Sequence, residues 1–442
     1  MNTGKHFSCW QQIIIALLLY FACSSLGILL SPHGLAKLVG TTGKDFHYWD
    51  LGHYISLSLN PRCWAFYPLW PQLIKLFNAD DPLGALRWAL ILSNTLFAVS
   101  LPILLFVLNR LIQSSALSFV ILLLYVLNPN SIFHGNGYTE SLFSLLGSMA
   151  IVALLLPKSL IWNSVLAISI VSISLSRPSL IQLFFAAAVA MVCTWLGSCL
   201  THRENRNSGS AANLNSWRVY LLPTSLILIA ATIGYAIYGW YCLKTTGNFF
   251  TPFLAQAEWG KSLSFRPSFL LFPKSLLNDL QGLYFPFLLF FIALVLIYFH
   301  TKGQAILLYL PKNPLLWLTL FYPPLAIFLY GFRYVQLWKK KALSDFSIPP
   351  QIANLKNNYI FFFCLGICMA NSIIIFFTGN SYLYSLARFI FATPFFFIAF
   401  GVLVDGFKDS QKIRDFLYGC LVISSLGLIH QWYNWGSDRW VG

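Results

Sequence analysis

Residues 12–30 read QIIIALLLYFACSSLGILL, nineteen consecutive positions without a charge. A helix needs about 20 predominantly apolar residues to cross the roughly 30 Å hydrocarbon core of a bilayer. This stretch meets that length, and comparable runs recur at roughly 88–108, 116–128, 140–156, 160–176, 179–199, 218–242, 283–300, 314–332, 357–378, 387–404 and 414–430. The chain is 58% hydrophobic and only 9% charged, with a mean hydropathy of +0.69. A soluble core cannot hide so much apolar surface, whereas lipid solvates it. The sequence therefore predicts an all-α, polytopic integral membrane protein with about 11–13 transmembrane helices. A transmembrane barrel would need short alternating segments, and none stands out. The first run is too long for a signal-peptide core, and SSLGILLSPHG (24–34) has no clear small-x-small cleavage site, so it reads as an uncleaved first helix.

Residues 1–442 read as a single transmembrane domain with two long non-spanning stretches, 31–87 and 243–282. The polar segment LTHRENRNSGSAANLNSW (200–217) reads as a cytoplasmic connection carrying Arg203 and Arg206. With the N-terminus inside, 31–87, 128–139, the region of Arg177 and 243–282 share the far side. The same alternation puts WKKKALSD (338–345) outside, against the positive-inside rule, so an odd crossing or a re-entrant segment is expected in 283–332. Pro323 and Pro324 within LFYPPLAIFLY mark that place. The net charge of +15 falls mostly in the connections, where it sets topology and suits anionic lipid rather than nucleic acid. Nine cysteines are scattered without metal spacing, and their odd count argues against a disulfide framework. Cys364 and Cys368 share a helical face inside a span and read as packing residues.

Scarce polar residues concentrate at one membrane edge. DFHYWDLGHY (45–54) holds Asp45, His47, Asp50 and His53 just beyond the first span, and CWAFYPLWP (63–71) follows. LNPNSIFHGNGYTES (127–141) holds His134, Asn136 and Glu140; SRPSL (176–180) holds Arg177; QAEWGK (256–261) holds Gln256 and Lys261; and LYSLARFIFATPFF (383–396) holds Arg388. Individually these are anchors and caps. An arginine between two apolar runs, like Arg177, generally meets an anion or a carboxylate. Jointly they suit a lipid-linked sugar phosphate: arginine forks for phosphate oxygens, aromatic faces for a sugar ring, and Asn, Gln and His for its hydroxyls. A carboxylate such as Asp50 would take the proton from an attacking hydroxyl. No phosphate-cradling glycine loop supports a nucleotide-driven reaction.

In their order, WDLGHY, FYPLWP, NPNSIFHGNGYTESLF, SRPSL, QAEWGK and ARFIFATPFF resemble the sequence blocks of the GPI mannosyltransferase 2 family. The Asn-Pro…Tyr-Thr-Glu-Ser-Leu-Phe block at 128–143 is the most specific match. The resemblance implies a C-type glycosyltransferase fold and an inverting enzyme that moves a sugar, usually mannose, from a polyprenyl- or dolichyl-phosphate donor to a glycolipid or related acceptor. It implies Asp50 as the catalytic base, with Asp45 as an upstream alternative. Asp45, His53, His134, Asn136, Glu140, Arg177, Gln256, Lys261 and Arg388 are the expected substrate-binding residues. Lys261 stands where the family carries arginine. Neither a metal nor a cofactor is implied, the donor lipid being a co-substrate and membrane lipid the surroundings. The expected location is a bacterial inner membrane with the site facing the periplasm, or an endoplasmic reticulum membrane with the site facing the lumen. A transporter or flippase is the rival reading; it calls for polar residues near mid-span and symmetry between the halves, whereas here they gather at one edge.

Overall fold

The uncharged run near the start of the chain folds as one helix, α1 (Cys9–Leu30). A reciprocal cap starts it: the Ser8 hydroxyl accepts from the Gln11 amide at 3.3 Å, and the Gln11 side chain accepts from the Ser8 amide at 2.8 Å. The computed structural model describes residues 7–39, 49–77, 80–156, 159–208, 216–258, 261–271, 277–308, 319–339, 344–346, 348–379, 383 and 385–439.

After α1 come α2 (Gly34–Val39), α3 (Trp49–Leu59), α4 (Leu69–Leu76) and α5 (Pro82–Leu111). Asp81 caps α5 by accepting from the Gly84 amide at 2.6 Å. α6 (Ser115–Leu127) ends at Asn128, and the chain turns through Pro129–Ser131 into α7 (Ile132–Gly135), a bend of 62°. Then follow α8 (Glu140–Leu155), α9 (Leu160–Ser176), α10 (Leu180–Ser208), α11 (Leu221–Thr246), α12 (Thr251–Glu258) and α13 (Leu277–Thr301). Two three-residue strands, β1 (Ile306–Leu308) and β2 (Ser344–Phe346), pair antiparallel with Ile306 opposite Phe346, on either side of α14 (Pro323–Lys339). The chain closes with α15 (Tyr359–Thr378), α16 (Leu386–Phe391), α17 (Pro394–Asp405) and α18 (Gln411–Gly436). The all-α class expected from the sequence holds.

Among the described residues, seven helices are long and apolar enough to cross a membrane, and the bent α6–α7 pair makes eight. That is fewer than the expected 11–13, for two reasons. The runs at 140–156, 160–176 and 387–404 fold as α8, α9 and α17, of 16, 17 and 12 residues. At about 1.5 Å of rise per residue none of these reaches 30 Å alone. The run at 314–332 is not continuous as described: residues 309–318 lie outside the described set, and Pro323 opens α14 instead of breaking it. Proline fits a first helical turn, where its missing N–H leaves no hydrogen bond unmade. Residues 340–343, the middle of WKKKALSD, lie outside the described residues.

α15 is the hub. It packs against α10, α13 and α17, and more of it is buried than of any other candidate span. A side chain at Gly366 would stand 2.6 Å from Ala186 of α10, so backbone-to-backbone packing requires the glycine. α1 and α18 pair in the same way, with Gly27 against the Ile429 carbonyl. Leu18, Ile229, Phe291 and Val422 stay exposed on outer faces, as lipid contact allows.

The odd cysteine count argues against a disulfide framework, yet one disulfide is present. Cys63, in the loop between α3 and α4, is bonded to Cys242 near the end of α11, 179 residues later. The Tyr238 hydroxyl reinforces this junction, donating to the Trp64 and Phe66 carbonyls, each at 2.9 Å. Cys364 and Cys368 are free and buried, as packing residues would be. Cys63→Ser is expected to lower the apparent melting temperature of the purified protein, through a loss of about 2–5 kcal/mol. Dithiothreitol should bring the wild type to the same value and leave the variant unmoved; a wild type insensitive to reductant would contradict this account.

Candidate active site

The site is built on a turn that the sequence fixes at both ends. The Asn128 side chain accepts from the Asn130 amide at 2.8 Å and donates to the Phe391 carbonyl at 3.1 Å, so the Asn-Pro turn is tied to the end of α16. Nine residues after Asn128, Gly137 has φ +85°, the left-handed region that suits glycine, and a side chain there would also crowd Leu51 and Ala89. Its carbonyl accepts from the buried Trp70 indole at 3.1 Å, and its amide donates to the Ser93 hydroxyl at 3.2 Å. The FYPLWP and NPNS…GYTES blocks thus lock together, which sets where α8 begins.

Glu140 begins α8 and is fully buried. Its Oε1 receives both the Arg177 guanidinium, from just beyond α9, and Nε of Arg388, from α16. Arg388 also donates from Nη1 to Oδ2 of Asp50, in the first turn of α3, at 2.5 Å. Arg177 donates from Nε to the Thr139 hydroxyl at 2.8 Å. The four residues therefore form one chain, Asp50–Arg388–Glu140–Arg177, drawn from four separated parts of the sequence. Aromatic faces enclose the cations: Arg388 lies 4.8 Å from the centre of the Phe133 ring and 4.5 Å from that of Tyr138. Arg177 lies 5.3 Å from both Phe143 and Phe389. Asp50 is the most open member, its side chain 31% exposed.

Beside the chain lies a cavity of about 310 Å³. Arg177, Gln256 and Lys261 line its polar side, with Phe143, Phe253 and Phe389 nearby and an aliphatic wall of Ile367, Ile374 and Ile375 on α15. Lys261 Nζ donates to Gln256 Oε1 at 3.0 Å, and Gln256 donates to the Ala65 carbonyl at 3.2 Å, so both hang from the loop that the disulfide pins. Burial lowers the Lys261 ammonium below the ordinary lysine range; the Asp50 carboxylate opposes this shift and Arg388 adds to it. Asp50, Glu140, Arg177, Lys261 and Arg388 together carry three positive charges against two negative, an excess that favours an anion.

The other expected site residues fall in different places. His53 stacks on Phe66 with ring centres 5.0 Å apart, in the wall between α3 and the disulfide loop. Asn136 is buried next to the turn, and neither amide atom has a hydrogen-bond partner among the described residues. His134 does not reach the cavity. It is fully buried, stacked on Phe97 at 4.2 Å and placed between the Tyr125 and Ser141 hydroxyls at 3.2 Å each, where it braces the turn. Asp45 lies outside the described residues. Among the described residues no three His, Cys, Asp or Glu side chains converge as metal ligands would.

Sequence reasoning passed over Asp279. It is fully buried in the first turn of α13, and its Oδ1 accepts from the Ala387 amide at 2.8 Å, fixing the backbone immediately before Arg388. Its signal was available: an acidic residue three positions ahead of Gly282 at the start of an apolar run, although nothing local named its partner 108 residues away.

Comparison with known families decides what this cluster belongs to. The profile of the mannosyltransferase (PIG-V) family matches residues 15–285, more than half of the chain. The chain belongs to the mannosyltransferase (PIG-V) family. Comparison with curated proteins and with solved structures gives no match. The protein is accordingly a multi-pass membrane glycosyltransferase that transfers mannose, and the match takes in Asp50, Glu140, Arg177, Gln256 and Lys261, while Arg388 falls beyond it. Glu140→Ala is expected to destabilise the fold by about 3–5 kcal/mol, because two buried guanidiniums lose their shared carboxylate. Asp50→Asn should cost less than about 1 kcal/mol, since Asp50 is partly solvated. Thermal unfolding of both variants checks this, and equal losses would contradict it.

Proposed function

We propose that the enzyme transfers mannose from a polyprenyl-phosphate donor to a hydroxyl of a glycolipid or related acceptor, with inversion, and that Asp50 is the base. The observation that carries this reading is the chain Asp50–Arg388–Glu140–Arg177 at the side of a cavity with cationic and aliphatic walls. A lipid-linked sugar phosphate has matching parts. Its phosphate suits Arg177 and Lys261, its chain suits Ile367, Ile374 and Ile375, and its sugar ring suits the Phe143, Phe253 and Phe389 faces.

In the proposed reaction the acceptor oxygen attacks the anomeric carbon from the side opposite the phosphate. Its proton passes to the Asp50 carboxylate as the carbon–oxygen bond to phosphate breaks. The lipid phosphate leaves with the bonding pair, stabilised by the neighbouring cations. No nucleotide or separate cofactor takes part. Arg388 holds Asp50 in orientation, and Glu140 holds Arg388. The disulfide supports a site on the non-cytoplasmic face, since such bonds persist in oxidising compartments; this means the periplasm in a bacterium or the lumen of the endoplasmic reticulum in a eukaryote.

Purified protein supplied with polyprenyl-phosphate mannose and a panel of glycolipid acceptors should form mannosylated product. Asp50→Asn should lower the rate by about 10²–10⁴-fold, the usual contribution of a positioned base. Transfer from a nucleotide sugar but from no lipid-linked one would overturn the donor assignment.

The lowered Lys261 ammonium gives a pH test. Only the protonated form binds phosphate, and a depressed lysine loses its charge at lower pH than an exposed one. Donor affinity should therefore fall early on the alkaline side, and Lys261→Arg, which stays charged, should move that limb of kcat/KM to higher pH. An unmoved limb would remove Lys261 from the phosphate site.

A further inference from the structure

The cavity also holds a polar pair, Gln182 and Asn371, that has no role in this mechanism. Ile367, Asn371, Ile374, Ile375 and Thr378 line the cavity from one face of α15, at helical spacing, and all but two are aliphatic. Asn371 sits two turns, about 10 Å, from Thr378 along the helix. Across the cavity wall, Gln182 in the first turn of α10 donates from Nε2 to Asn371 Oδ1 at 3.4 Å. Asn371 donates one of its own amide protons to the Ile367 carbonyl at 3.1 Å, the spacing of a helical side chain folded back on its helix. Gln182 Oε1 is buried and has no hydrogen-bond partner among the described residues. Both amides lie inside apolar runs, where a polar group without a partner is destabilising.

We propose that Gln182 and Asn371 read a hydroxyl of the donor's sugar and so determine which sugar the enzyme accepts. The inference rests on the reading of the cavity as the donor site. Of the three parts of a polyprenyl-phosphate sugar, the prenyl chain has no hydrogen-bonding groups, and ionised phosphate oxygens only accept. Gln182 Oε1 needs a donor, and only the sugar supplies one. A hydroxyl can give its proton to Gln182 Oε1 and accept one of the amide protons that Gln182 and Asn371 still offer. The same cavity is lined by Arg177 and Lys261, which suit the phosphate, and by Phe253 and Phe389, which offer ring faces. The pair is a specificity device: a sugar that lacks the matching hydroxyl leaves the Gln182 Oε1 unmet, which is how hydrogen-bonding sites reject deoxy analogues.

The test uses full-length protein in nanodiscs, with polyprenyl-phosphate mannose and its monodeoxy analogues as donors, and reads kcat/KM for each. For wild type, one deoxy position should fall about 10- to 100-fold below the parent sugar. In Gln182→Leu the parent should drop to that level while the same deoxy donor changes by less than about threefold. Asn371→Leu, altering the pair from the other helix, should give the same pattern, and Gln182→Met repeats the comparison with a side chain of similar length if leucine prevents folding. An equal loss on every donor, or a wild type indifferent to every deoxy position, would overturn the proposal and leave the donor assignment standing. Failure of wild type to use any lipid-linked sugar would instead overturn the donor assignment and this inference with it.

Discussion

A single buried carboxylate organises the site. Glu140 accepts two guanidiniums on one oxygen, and through them α8, the end of α9, α16 and the start of α3 are held in register. Away from water, neither arginine is stable without a counter-charge, and the fully buried Glu140 would not survive there alone, whereas Asp50 is partly solvated. Aromatic faces from Phe133, Tyr138, Phe143 and Phe389 replace the remaining hydration of the cations. The geometry of the cluster is therefore a by-product of charge compensation, and Arg388 ties Asp50 to Glu140.

The supports around this chain are mostly backbone contacts. Trp70 and Ser93 hold Gly137, Asn128 holds the end of α16, and Asp279 holds Ala387. Each clamps the main chain one to three residues from a member of the cluster, so the charged side chains have little freedom left. The disulfide loop does the same for the far wall, where Gln256 leans on the Ala65 carbonyl. The result is a polar edge set beside an aliphatic wall in one cavity.

Much of this could be read from the residues. Uncharged runs named the fold class, and scarce charges at run ends named Asp50, Glu140, Arg177 and Arg388, because charge near a membrane is rarely placed without a partner. What escaped was long-range or hidden in composition. An odd cysteine count could not reveal a bond between Cys63 and Cys242, since the parity of nine says nothing about any one pair. Gln182 and Asn371 vanished into apolar windows that average them away. His134 looked like a ligand because a motif placed it beside Glu140, whereas the bend after α6 turned its ring into the core. Pro323 was read as a break when it is a beginning, and the short helices α8, α9 and α17 were counted as full crossings because hydropathy does not record where a helix stops.

The spacing of the cluster along the chain also orders it in time. Glu140 and Arg388 are 248 residues apart, and Asp50 and Arg388 338. At about 5–20 residues per second of synthesis, Glu140 waits roughly 12–50 s for Arg388. Arg177 follows it by only 37 positions, roughly 2–7 s at the same rate. Arg177 is thus available to Glu140 while the second half of the chain is still being made, and Arg388 is the late arrival that bridges Glu140 to Asp50.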